Sequence, residues 1–126
     1  MLLVFGGCES EPQPRETVTA TQFQDVVVPA GLRLIDDSHQ SHSVEAAGWR
    51  MGHFIYAGPM QRDEAISYVR QRMPQHSWEL VADEVVDETT TRLRFVRGHY
   101  SAEYKFVRMD GRVQMVVDYQ TDYTPR

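Results

Sequence analysis

The stretch that decides the fold is residues 93–117, LRFVRGHYSAEYKFVRMDGRVQMVV. Apolar and polar side chains alternate along it, which is typical of strands with one buried face. Two turn signals divide the stretch into three strands. Asp110-Gly111 favours a two-residue type I′ hairpin turn, and Gly98-His99, with glycine in the first position, favours a type II′ turn.

Both turns independently predict the same buried face. The first turn pairs Phe106 with Met115, and the second pairs Phe95 with Ala102. A slip of one residue at either turn would scatter the apolar side chains over both faces, because side chains alternate along a strand. The sequence therefore predicts an antiparallel meander with a fixed register. Seven side chains form its buried face: Leu93, Phe95, Ala102, Tyr104, Phe106, Met115 and Val117.

One amphipathic helix is predicted over residues 60–73. Acidic residues lie in its early turns and arginines in its last, which matches the helix macrodipole at both ends. Pro74 is expected to end it, because the residue before a proline is disfavoured in the helical region. The apolar spacing places one set on a single face, with Ile66 at its margin: Ala65, Tyr68, Val69, Arg72 and Met73.

Three further strands complete the predicted fold. The first covers residues 32–35, and a polar connection over residues 36–42 leads to the second, best supported over residues 49–56, where Trp49 is expected in the core. The third covers residues 78–86 and directs Trp78, Leu80 and Ala82 to the core. We predict an α+β fold, a mostly antiparallel twisted sheet of five or six strands with one helix packed on one face, in the order β-β-α-β-β-β-β.

The N-terminus carries a second signal, residues 2–8, LLVFGGC. An apolar run, two small residues and the single cysteine resemble the end of a bacterial lipoprotein signal, in which the cysteine is lipidated and the chain is cut before it. The run is shorter than a full signal peptide requires, which predicts a true start upstream of Met1. The alternative is an unpaired thiol at Cys8 in an irregular N-terminal segment.

The predicted organisation follows from this signal. Residues 1–7 are the remnant of the signal peptide, residues 8–24 are the lipidated Cys8 and a flexible tether, and residues 25–126 form a single α+β domain. Residues 9–22 are polar, with two prolines and a threonine-rich end, and bury too little apolar surface to fold alone. We expect the protein in the cell envelope, and Glu9 favours the periplasmic side of the outer membrane in a Gram-negative cell.

Composition excludes several classes of function. The net charge is −5, from 13 basic and 18 acidic residues, so no bulk positive field attracts nucleic acid. No stretch approaches the ~20 apolar residues of a membrane span, so the membrane is expected as a partner through the lipid on Cys8. No cofactor motif and no nucleophile elbow occurs, and we predict a protein without catalytic activity.

A longer pattern supports the envelope assignment. Tyr56-Ala57-Gly58, the amphipathic helix, Met73-Pro74 and Trp78 together resemble a family of small uncharacterised bacterial envelope lipoproteins. In that family a Tyr-x-Gly strand end leads into a helix that ends in Met-Pro, with Gly-Trp shortly after; here Ser77 precedes Trp78. The resemblance spans residues 28–117 and implies location and fold, and it carries no catalytic residue over to this chain.

Two surfaces are candidates for binding. In the polar connection, Asp37, His39 and His42 offer the nitrogen and oxygen ligands that divalent metals take, although two histidines three residues apart point to opposite faces of an extended segment. On the sheet, Arg92 and Arg94 lie on the outer face, where the register sets Arg94 opposite Glu103. Such cross-strand pairs are routine on a solvated face and argue against nucleic-acid binding.

We therefore expect a non-enzymatic, lipid-anchored envelope domain that contacts another protein or the cell wall. Its leading contact surfaces are residues 36–42 and the outer sheet face. The alternative is a small-molecule or metal-binding periplasmic domain centred on Asp37, His39 and His42. The outer-face candidates are Arg92, Arg94, Glu103, Lys105 and Asp118.

Overall fold

The computed structural model describes residues 23–35 and 40–123. Within these residues, a single helix packs on one face of one antiparallel sheet, so the predicted α+β fold is confirmed. A short 3-10 helix, Met73–His76, follows the α-helix. The elements are β1 (Arg33–Ile35), β2 (His42–Ala46), β3 (Trp49–Gly58), α1 (Arg62–Arg72), β4 (Glu79–Val85), β5 (Thr90–Arg97), β6 (Tyr100–Met109) and β7 (Arg112–Thr121).

The sheet has the strand order β1-β3-β7-β6-β5-β4, and β2 also pairs with β3. β1 pairs with the C-terminal half of β3 and β2 with its N-terminal half, so two short strands share one edge of the sheet. Helix α1 connects β3 to β4 at the opposite edge, and therefore crosses the inner face on the way. It buries Ala65, Ile66 and Val69 against the sheet.

The register of the meander is confirmed. Phe106 pairs with Met115 and Phe95 with Ala102, as both turns predict, and all seven side chains of the predicted face are fully buried. The turn between β6 and β7 has the predicted length but is not type I′. Positive φ occurs at Gly111 (63°) and not at Asp110, whereas type I′ needs it at both positions.

The β2–β3 hairpin is a strand pair that the sequence does not predict. Ala47 and Gly48 connect its strands, with φ of 51° and 81°, which is the backbone pattern of a type I′ turn. Alanine rarely adopts positive φ, so Ala-Gly is a weak turn signal. The sheet has seven strands instead of five or six, and His42 lies in β2 instead of in the polar connection.

A β-bulge in β4 corrects a second expectation. The pairing with β5 shifts between Leu80 and Ala82, because Val81 is inserted as an extra residue. Trp78 is buried and Leu80 packs against the core, as predicted, but Ala82 pairs with Arg94 and faces outwards. The prediction that Ala82 lies in the core is wrong, because the bulge reverses the alternation beyond Leu80.

The helix also differs in detail from its predicted face. Ile66, placed at the margin, is buried, whereas Arg72 is exposed with its guanidinium 4.8 Å from the centre of the Tyr68 ring. The α-helix ends before Pro74, which is the second residue of the 3-10 helix. Ser77, with φ of 70°, closes it with a Schellman motif in which the Trp78 N–H donates to the Met73 carbonyl at 3.3 Å.

Residues 23–32, which we call the entry segment, lie along the inner face beside α1. The Phe23 ring is 4.9 Å from that of Tyr119, and the carbonyl of Val27 accepts a 2.8 Å hydrogen bond from the Tyr104 hydroxyl. Assigning Phe23 to the tether is therefore wrong, because its ring is part of the core. Among the described residues, no helix is long and apolar enough to cross a membrane.

Candidate functional site

The face of the sheet opposite α1, which we call the outer face, carries one continuous row of side chains, all of them polar except Ala82 at its β4 end. Each member is the direct cross-strand partner of the next, so the row crosses the sheet from β2 to β4. Its Cα register follows from five strand pairings. This polar row consists of His42, His53, Asp118, Glu103, Arg94 and Ala82.

A depression of about 430 Å³ opens over the β4 side of the polar row. Ala82 and Ser101 form part of its lining, and their small side chains leave the space that larger residues would fill. Ala82 reaches this surface only because the β-bulge turns it outwards. The lining residues are Ala82, Glu84, Arg92, Arg94, Ser101, Glu103, Asp118 and Gln120.

The charges around the depression are unevenly paired. Arg92 Nε lies 3.3 Å from Glu103 Oε2, and Arg92 also forms an ion pair with Glu84. Arg94 is directly opposite Glu103, as the register predicts, yet it makes no ion pair within the described residues. Glu103 therefore forms its ion pair with Arg92 instead of with Arg94. Arg94 is an exposed cation at the edge of the depression.

At the other end of the polar row, two histidines lie side by side. The rings of His42 and His53 are stacked, with centres 5.6 Å apart, and His53 Nδ1 is 2.5 Å from Asp118 Oδ1. A carboxylate oxygen accepts hydrogen bonds, so the ring N–H is the donor in this contact. The sequence does not indicate that His53 contacts His42, because their contact depends on the β2–β3 hairpin.

The structure describes only some of the remaining residues that the sequence predicts for the site. Cys8, Asp37 and His39 lie outside the described residues. Over residues 23–35 and 40–123, no group of three or more His, Cys, Asp and Glu side chains has an arrangement that could hold a metal ion. His42 is a candidate ligand of the predicted site and lies within the described residues. It belongs to the polar row instead.

A second charged cluster lies on the inner face, where the entry segment meets the sheet. We call it the arginine clasp: Asp25, Arg50, Arg97 and Tyr119. Asp25 Oδ2 is 3.0 Å from Arg50 Nη2 and accepts a 3.0 Å hydrogen bond from the Tyr119 hydroxyl, and Arg97 also pairs with it. Three aromatic rings lie within 4.7–4.8 Å of the Arg50 guanidinium, in cation–π geometry: Phe23, Tyr100 and Tyr119.

The clasp fixes the ionisation of its members. Burial alone would raise the pKa of Asp25, but hydrogen bonds from Arg50 and Tyr119 and the two nearby guanidinium charges lower it below its ordinary value of 3.8. Burial, together with the adjacent carboxylate, raises the pKa of Tyr119 well above 10. The carboxylate therefore remains charged and the phenol neutral at physiological pH, which suits a fixed structural contact.

Comparisons with protein-family models, with curated proteins and with solved structures found no match. What the site can bind is therefore inferred from the geometry and charge of its side chains. The outer face presents a depression with an exposed guanidinium and two adjacent carboxylates, Glu103 and Asp118. Such a surface can bind groups of either sign by charge-assisted hydrogen bonds.

Proposed function

We propose that this chain is a lipid-anchored domain of the bacterial cell envelope that has no catalytic activity. The lipid is attached at Cys8 and the folded domain follows the tether. The domain binds an envelope protein or the cell wall through the outer face of its sheet. The N-terminal signal at residues 2–8 supports the anchor, and the resemblance over residues 28–117 supports the location.

The contrast between the two faces of the sheet is the observation that carries this proposal. Helix α1 and the entry segment cover the inner face, whereas no described element covers the outer face. The outer face combines the depression, an arginine (Arg94) that forms no ion pair with the described residues, and the exposed apolar side chain of Met109. Arginine and methionine are both enriched at protein interfaces relative to the rest of the surface.

The anchor is tested by metabolic labelling with a fatty-acid probe. In cells that express the gene from its upstream start, we expect the wild-type protein to incorporate the probe and to sediment with membranes. Cys8→Ala should lose nearly all of both signals, because no other group would hold the acyl chains. Ser10→Ala, in the predicted tether, is the matched control and should behave as wild type. Equal labelling of Cys8→Ala and wild type would refute the anchor.

The contact surface is tested by charge reversal at the depression. A photo-crosslinker in place of Ser101 should form adducts with a protein partner, and sedimentation with isolated cell-wall sacculi tests the wall. Arg94→Glu should weaken the productive interaction about tenfold, equivalent to ~1.4 kcal/mol, because it places a carboxylate beside Glu103 and Asp118.

Arg108→Glu provides the control for this experiment. It makes the same change of charge at an exposed residue of β6 that lies outside the depression. If Arg94→Glu and Arg108→Glu change both adduct yield and sedimentation to the same extent, the outer face is not the contact surface. Loss confined to Arg94→Glu identifies the depression as part of it.

A further inference from the structure

Aromatic side chains gather at the end of the sheet where β3 begins and β7 ends. We call this set the aromatic rim: Trp49, His99, Tyr100 and Tyr123. The hydroxyls of Tyr100 and Tyr123 donate to the same carbonyl, that of Gly48, at 3.2 and 3.3 Å. The His99 and Tyr123 rings are 4.6 Å apart. These contacts hold His99, Tyr100 and Tyr123 against Gly48, and Trp49 directly follows Gly48 in the chain.

The rim remains open to solvent despite these contacts. Trp49 is 38% exposed and Tyr123 is 58% exposed, and Val44, on the strand that pairs with the start of β3, is also exposed. Tryptophan and tyrosine combine an apolar ring with a polar group, and both are enriched where proteins meet the interfacial region of membranes. The prediction that Trp49 lies in the core is wrong, because its side chain is at the surface.

The chain enters the domain at this same end. Phe23, the first described residue, lies with its ring centre 4.8 Å from the guanidinium carbon of Arg50, and Arg50 directly follows Trp49. The entry segment then runs away from the rim, because Gly31 lies against Gly58 at the far end of β3. Residues 9–22 separate Phe23 from Cys8 and can span at most about 50 Å.

We propose that the aromatic rim rests in the headgroup region of the membrane that holds the lipid anchor. This inference depends on the proposed lipidation of Cys8. The anchor makes the contact intramolecular, so the rim needs only weak affinity for the bilayer to stay on it. Asp122 directly precedes Tyr123, and Glu45 is the cross-strand partner of Arg50, so charges of both signs lie at this end of the sheet and suit zwitterionic headgroups better than a strongly anionic membrane.

The orientation that follows leaves the outer face accessible. With the rim on the membrane, the strands point away from the bilayer and the depression faces sideways, towards neighbouring envelope components. The rim therefore determines how the domain presents its contact surface.

Tryptophan quenching tests the contact. Full-length lipidated protein is reconstituted in vesicles of phosphatidylethanolamine with a minor fraction of phosphatidylglycerol, either with or without brominated acyl chains. We expect the brominated lipid to remove most of the emission from Trp49. Trp78 is buried, and its indole N–H donates to the Asp25 carbonyl at 3.0 Å, so it should respond little. Trp49→Phe should therefore lose most of the quenching.

Two substitutions test whether the quenching of Trp49 fluorescence depends on the aromatic rim. Tyr123→Ser should reduce the quenching of Trp49, whereas Val85→Ser, which removes an exposed apolar side chain at the other end of the sheet, should not. Quenching that is absent from the labelled, lipidated protein, or that Val85→Ser reduces equally, overturns the rim contact alone. Absence of fatty-acid label at Cys8 is a separate readout, and that result would reject the proposed anchor together with the inference that rests on it.

Discussion

Asp25→Ala is expected to lower the free energy of unfolding by about 3 kcal/mol, because it leaves two partly buried guanidinium groups without their counter-ion. The side chains of Asp25 and Arg50 are 16% and 17% exposed, and that of Arg97 is 30% exposed. Tyr119 also loses its hydrogen-bond acceptor. Chemical denaturation followed by tryptophan fluorescence measures the change directly, since Trp78 packs against Arg97 and Tyr119.

A surface ion pair provides the comparison. Asp63, 86% exposed, lies 3.4 Å from Arg62, and Asp63→Ala should cost less than about 0.5 kcal/mol. The double variant Asp25→Ala with Arg50→Met should recover part of the loss, because it removes one stranded charge along with its partner. Equal destabilisation by Asp25→Ala and Asp63→Ala would show that the arginine clasp contributes no more than a surface pair.

The contribution of the arginine clasp to stability should also depend on pH. The pKa of Asp25 is lower in the folded protein than its ordinary value of 3.8, so the carboxylate stabilises the fold above that pH. The contribution is lost as the pH falls through the folded-state pKa. The stability difference between wild type and Asp25→Asn should therefore be constant near neutral pH and shrink below about pH 4. A difference that grows on acidification would contradict the assignment.

The sequence predicted the centre of the sheet well, for a physical reason. The β5–β6–β7 meander depends on local turns and strict alternation, and the buried face constrains the register from both sides. Phe106 and Met115 could be paired without any knowledge of the remaining chain. Helix α1 could be predicted equally well, because its charged residues and Pro74 are signals within the segment itself.

The errors lie where local signals are weak or where one residue changes the alternation. The Ala47-Gly48 turn has an alanine at positive φ, a conformation that the sequence does not favour, so β2 was missed. Val81 is inserted without a glycine or proline to mark the bulge, so Ala82 was assigned to the wrong face. In both cases long-range packing of the sheet overrides the local preference.

The charged clusters could be predicted only in part. The outer-face pairs follow from the hairpin register, which is why Arg94 and Glu103 were placed opposite each other. The arginine clasp joins side chains 25 to 94 residues apart, and it depends on where the entry segment lies across the sheet. No periodicity encodes that position. The aromatic residue Phe23, directly after an otherwise polar stretch, is the sequence signal that could have indicated it.

Gly58→Ala is the second substitution with a large expected effect, and it tests the close approach of the entry segment to β3. A Cβ at this position would lie 2.2 Å from the Gly31 carbonyl oxygen and 3.1 Å from the Gly31 carbonyl carbon. Both are backbone atoms, so the entry segment itself must shift, and we expect a loss of about 3 kcal/mol. This close approach of the Gly31 backbone also gives a physical reason for the glycine in the Tyr-x-Gly strand end.

Gly31→Ala separates this clash from a general effect of adding a methyl group. Its Cβ would meet only the Met60 Cε, at 2.9 Å, which is the far end of a flexible side chain that can rotate away. We expect a cost below about 1 kcal/mol in the same denaturation experiment. Limited proteolysis should also cut Gly58→Ala within residues 23–32 faster than Gly31→Ala, because a displaced entry segment is exposed to protease. Equal unfolding free energies for the two variants would mean that the backbone contact at Gly58 does not hold the entry segment in place.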